Sequence, residues 1–116
     1  MNSPAQFPVP ASCEELLAQL IAHNTVNPFF GGPEGGEAVL IAHLEKLAHG
    51  WGLKTRRCPV PGGGENLLIT CEVAPDARWL LFESHLDTVS VAGMTVDPFN
   101  VTVTANRIHG RGTCDT

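Results

Sequence analysis

His85 and Asp87 stand two apart in the run Glu83-Ser84-His85-Leu86-Asp87-Thr88-Val89, directly after the apolar residues Trp79-Leu80-Leu81-Phe82. An uninterrupted apolar run of that length predicts a strand buried on both faces of a parallel or mixed sheet, a rigid mount for whatever follows it. Side chains alternate along a strand, so His85 and Asp87 are expected on one side and Ser84 and Leu86 on the other. A histidine that binds a metal through one ring nitrogen usually gives its other N–H to a carboxylate or carbonyl, which fixes the tautomer. His85 and Asp87 have the residue types and spacing for that. On chemistry alone a packed, hydrogen-bonded His85 is an equal reading; the strand exit and the neighbouring carboxylate favour the ligand. Ser84 beside His85 is not a nucleophile with its base, because adjacent strand residues face opposite ways.

A further carboxylate, Asp115, follows the turn Gly110-Arg111-Gly112. Taken alone, an aspartate there reads as a turn or cap residue. The intervening chain is expected to bring it back towards His85. Residues 94–99 form a turn, since Pro98 lacks a donor and pushes Asp97 out of helical space, and Asp97 is an Asx-type turn former. Residues 101–104 and 108–109 predict a β-hairpin with Asn106 at the bend. Arg111 is expected to brace this loop through hydrogen bonds rather than to meet an anionic substrate.

The upstream chain reads as scaffold. Ser12 and Glu15 make a capping box, and Leu16, Leu17, Leu20 and Ile21 continue at helical spacing to about His23. Asn27-Pro28 ends that helix. The run Gly31-Gly32-Pro33-Glu34-Gly35-Gly36 lacks the Lys-Ser/Thr of a phosphate loop and is expected to be a plain connector. A second helix from about Glu37 places Val39, Leu40, Leu44, Leu47 and Trp51 on an apolar face, with Gly50 and Gly52 as stops. His43 and His49 do not stand side by side on it and are expected to be packed or solvated. Residues 53–60 and 66–73 predict two strands around a glycine-rich turn. The expected fold is α/β, two helices packed on a mixed sheet.

His85-Leu86-Asp87-Thr88-Val89, then Asp97-Pro98-Phe99, then Gly110-Arg111-Gly112-Thr113-Cys114-Asp115 resembles, in order and spacing, the amino-terminal signature of one family. It is the di-zinc metallopeptidase family of acetylornithine deacetylase, succinyl-diaminopimelate desuccinylase and glutamate carboxypeptidase. The likeness extends more loosely over the upstream helices. It differs at Ser90, where proline is usual, at Ser84, where glycine is usual, and near Met94, where a tryptophan is expected. The resemblance implies that His85 ligates one zinc, that Asp87 is the catalytic-site aspartate orienting it, and that Asp115 bridges two Zn2+ ions, with Co2+ or Mn2+ as alternatives. It implies the N-terminal part of a zinc-peptidase catalytic domain with a phosphorylase/hydrolase-like fold. The implied chemistry is hydrolysis of an amide in a small N-acyl amino acid or peptide. Two metal ions would polarise the scissile carbonyl and lower the pKa of a bridging water. The family's general base, a glutamate of a Glu-Glu pair, and its remaining ligands follow the Gly-Arg-Gly motif at positions beyond Thr116. The chain is therefore expected to be the first part of a longer enzyme, inactive alone, with a homodimer one open assembly state for the full-length protein. A non-catalytic α/β module that keeps the motif as structure is the alternative. A self-contained mononuclear metal-binding domain fits less well, because only His85, Asp87 and Asp115 look like ligands.

Composition narrows the rest. With 116 residues, 43% hydrophobic and 16% charged, the chain can bury a globular core. A net charge of −5 with scattered basic residues argues against nucleic acid. No apolar run approaches the roughly 18 residues of a membrane helix. Residues 1–11 hold several prolines and no signal-peptide pattern, so a disordered lead-in and a cytoplasmic location are expected, with 12–116 as the domain portion. Cys13, Cys58, Cys71 and Cys114 form no C-x-x-C pair and are expected to be packing thiols rather than zinc ligands.

Overall fold

The computed structural model describes residues 7–115. Helix α1 spans Cys13–Ile21, and Ser12 caps it by accepting a hydrogen bond from the Glu15 backbone N–H at 3.2 Å. The Glu15 carboxylate reaches back one residue further than a standard capping box, to the Ala11 N–H at 2.7 Å. Helix α2 spans Gly36–Gly50. It packs on an antiparallel hairpin of β1, Lys54–Pro59, and β2, Glu65–Thr70. Arg57 on β1 ties the two together, pairing with Glu45 of α2 at 2.7 Å and Glu65 of β2 at 2.8 Å. A second hairpin joins β3, Thr102–Thr104, to β4, Arg107–His109. Its two-residue bend falls where Asn106 was expected, but the left-handed residue is Ala105, at φ 50°.

The α/β composition is as expected, while the sheet differs. Among the described residues the strands form two separate antiparallel pairs, and one isolated parallel bridge joins Val26 to Thr88. The buried strand predicted over residues 79–82 is absent: Trp79, Leu80, Leu81 and Phe82 are between 66% and 85% exposed and pair with no described strand. An apolar run reports a capacity for burial. Burial itself needs neighbouring strands on both sides, and each hairpin here closes on itself instead.

The core is Ile21, Val26, Leu40, Ile41, Leu47 and Ala48. On α2 the buried stripe is thus Leu40, Ile41, Leu47 and Ala48, rotated from the predicted face; Val39 and Trp51 lie in solvent. Of the lead-in expected over 1–11, residues 1–6 lie outside the described part. The remainder is packed: Gln19 Nε2 donates to the Pro8 carbonyl at 2.8 Å, and Phe7 stands edge-on to the rings of His23 and His43. The four cysteines are free thiols. Among the described residues no helix is long and apolar enough to cross a membrane.

Candidate metal centre

Three segments build the site. The first is residues 25–27, just after α1. Thr88 N donates to Thr25 O and Asn27 N to Thr88 O, both at 2.9 Å, so this segment lies parallel to 87–88. The 3-10 turn Pro28–Phe30 begins directly after Asn27, which caps it. Glycine is required nearby: a Cβ on Gly32 would fall 1.6 Å from the Val26 carbonyl oxygen, so only glycine lets the loop close against Val26.

The second segment carries His85 and Asp87. Although 79–82 is not a paired strand, the two side chains do meet. His85 Nδ1 lies 2.8 Å from the Asp87 backbone carbonyl and 3.3 Å from its carboxylate Oδ1. A carbonyl can only accept, so Nδ1 carries a proton, and Nε2 is the ring nitrogen turned away from Asp87. The Ser84 hydroxyl donates to the His85 carbonyl at 3.4 Å rather than to the ring, consistent with the exclusion of a nucleophile–base pair.

The third segment brings Asp115 to that nitrogen, with His85 Nε2 and Asp115 Oδ2 3.5 Å apart. The hydrogen bond to the Asp87 carbonyl, and then the charges of Asp115 and Asp87, raise the His85 pKa above its ordinary value. Asp97 holds the loop as expected, accepting from the backbone N–H groups of Phe99 at 2.9 Å and Asn100 at 3.0 Å. Its carboxyl is held below the usual range, first by the Asn100 side chain.

Arg111 locks the three segments together. It is buried; Nη1 donates to Thr25 Oγ1 at 2.8 Å and to Thr88 Oγ1, and Nη2 donates to the Ile21 and His23 carbonyls at 3.0 and 2.7 Å. The guanidinium carbon stands 5.4 Å from the centre of the Phe99 ring. Bracing is therefore its role, as expected. Residue-by-residue reading missed the partners Thr25, Thr88 and Asn27. Asn27-Pro28 read only as a helix stop, and nothing local reveals that its amide reaches Asp87, Nδ2 to Oδ2 at 3.1 Å.

An imidazole Nε2 and a carboxylate are suitable zinc donors. Two donors about 2.0–2.2 Å from one tetrahedral ion sit roughly 3.3–3.6 Å from each other, which the His85–Asp115 separation of 3.5 Å matches. The residues present thus fit two corners of a zinc site. Among the described residues no group of three or more His, Cys, Asp or Glu side chains is placed to hold a metal. A cavity of about 290 Å³ opens beside the pair, lined by Leu17, Leu20, Leu40, His85, Arg111 and Asp115 among others. A larger cleft of about 460 Å³ lies at the start of α2. Glu34, Glu37 and Glu65 line it, and that charge disfavours an anion at the glycine-rich loop. Compared with family models, with curated proteins and with solved structures, the chain matches none.

Proposed function

We propose that this chain supplies the first metal-binding side chains of a cytoplasmic, zinc-dependent hydrolase that cleaves an amide bond of an N-acyl amino acid or peptide. What supports the reading is one juxtaposition: His85 turns Nε2 towards Asp115 while Asp87 occupies Nδ1. In this reading His85 and Asp115 hold the ion, and Asp87 fixes the ring in the tautomer a metal requires. Bound zinc supplies Lewis acidity, which polarises a carbonyl and lowers the pKa of water. The chain's own contribution is to hold an imidazole Nε2 and a carboxylate at the spacing of two ligands. Arg111 keeps the segments bearing them in register.

A catalytic zinc typically takes three protein ligands and a water. The 116-residue chain assayed alone should therefore bind zinc weakly and turn over no amide. The full-length protein, purified with zinc, should hold stoichiometric metal and cleave N-acyl amino acids or dipeptides. Amide turnover by the 116 residues alone would refute this account of where the chemistry lies. The short ligand count favours a second reading, a non-catalytic module that keeps the motif as structure. Zinc-free, inactive full-length protein would establish that reading.

A further inference from the structure

Asn27 uses both ends of its amide. Oδ1 accepts from the Phe29 backbone N–H at 2.9 Å, which caps the 3-10 turn. With the oxygen assigned by that bond, the amide nitrogen must point the other way, and it donates to Asp87 Oδ2 at 3.1 Å. Asp87 presents its other oxygen, Oδ1, to His85 Nδ1. The Asn27 backbone is anchored independently by its bond to the Thr88 carbonyl, and Gly32 N donates to the Asn27 carbonyl at 3.2 Å. The side chain is thus held at its root and at its oxygen, leaving the donor to act on Asp87.

We infer that Asn27 is a positioning residue for the metal centre: by holding Asp87 it sets the ring of His85, so that Nε2 faces Asp115. This rests on the metal reading above. Outer-shell groups of this kind typically change metal affinity or activity by about 10 to 100-fold when lost. A turn-capping role alone predicts a different pattern, because serine and aspartate cap as well as asparagine does.

The test uses Asn27→Ser and Asn27→Asp in the full-length protein. Both keep an oxygen for the Phe29 N–H and remove the donor to Asp87; Asn27→Asp also sets a carboxylate against a carboxylate. Zinc affinity is read by competition with a chromophoric chelator, and the His85 tautomer in the zinc-free protein by 15N NMR of the imidazole. Zinc affinity should fall by up to about tenfold, further for Asn27→Asp than for Asn27→Ser. The Nδ1–H tautomer should lose population in both. In an Asp87→Ala background, Asn27→Ser should add almost nothing, since the group it positions is gone. If Asn27→Ser lowers the melting temperature enough to blur the comparison, the isosteric Asn27→Asp carries the test. Wild-type affinity and tautomer in both variants would reduce Asn27 to a turn cap and overturn the inference. Wild-type protein that binds no zinc through His85 would instead overturn the metal reading, and the tautomer would still decide whether Asn27 acts on His85.

Discussion

His85 keeps its Nδ1 proton engaged by two groups of one residue, the Asp87 carbonyl and the Asp87 carboxylate, and the nearer of the two is the carbonyl. That division sets the expected ranking of substitutions. On the metal reading proposed above, His85→Ala removes a donor atom outright and should abolish zinc binding. Asp87→Asn leaves the carbonyl bond intact and should fall near the lower end of the roughly 10 to 100-fold range for outer-shell groups. Metal analysis after dialysis checks both, and equal losses would show the carbonyl to be unimportant. Arg111 gives a prediction about stability. Its Nη atoms serve four neutral acceptors, and burial alone lowers its pKa below that of a free guanidinium. Arg111→Ala would leave buried carbonyls and hydroxyls unpaired, at about 3 kcal/mol or more. Arg111→Lys should recover only part, because one ammonium cannot span the fork. Urea unfolding of the three proteins tests this, and a loss within about 0.5 kcal/mol for Arg111→Ala would contradict it.

At the level of elements, the loop after α1 and the turn before Asp115 carry the residues that grip the site, Thr25 and Asn27 on the first and Arg111 on the second. Gly32 sits where a Cβ would overlap the Val26 carbonyl, in the segment that pairs with Thr88. Gly32→Ala must therefore displace that segment, and overpacking of this kind costs about 1–3 kcal/mol. The matched control is Gly50→Ala. Gly50 ends α2 with nothing within 4 Å of the added methyl, so alanine there should stabilise by up to about 1 kcal/mol. Thermal melts of the two variants should move in opposite directions. A Gly32→Ala protein as stable as wild type would mean that the loop can close without its present contact.

At the scale of the whole molecule, the pH response is expected to come from a histidine pair, His23 and His43, the His23 carbonyl itself accepting from Arg111. His23 and His43 face each other with ring centroids 4.9 Å apart, under Phe7. Burial lowers both pKa values below the ordinary histidine value, followed for His23 by the charges of His43 and Arg111 and for His43 by that of Lys46. A histidine pKa depressed by folding means that the unfolded chain binds protons first on acidification. Stability from this pair is thus full above about pH 6.5 and is lost as pH falls through the depressed folded values. His85 acts with the opposite sign, its raised pKa favouring the folded state at low pH, but it is exposed and its contribution is screened. Melting temperature should fall between about pH 7 and pH 5, and His43→Gln should flatten the fall. Equal slopes in both proteins would exclude the pair. Local patterning in the sequence was enough for the helices, both hairpins and the Asp97 turn, because caps, turn residues and hydrophobic spacing act over a few residues. His85 and Asp87 stood out by residue type and spacing, whereas Asp115 was singled out only through the resemblance of its motif to a known family. What covers an apolar run and what meets across a fold are long-range matters. The exposure of residues 79–82, the rotation of the buried stripe on α2, the grip of Arg111 on Thr25 and Thr88, and the reach of Asn27 to Asp87 were decided only by tertiary structure. Each depends on residues far apart in sequence that only folding brings together.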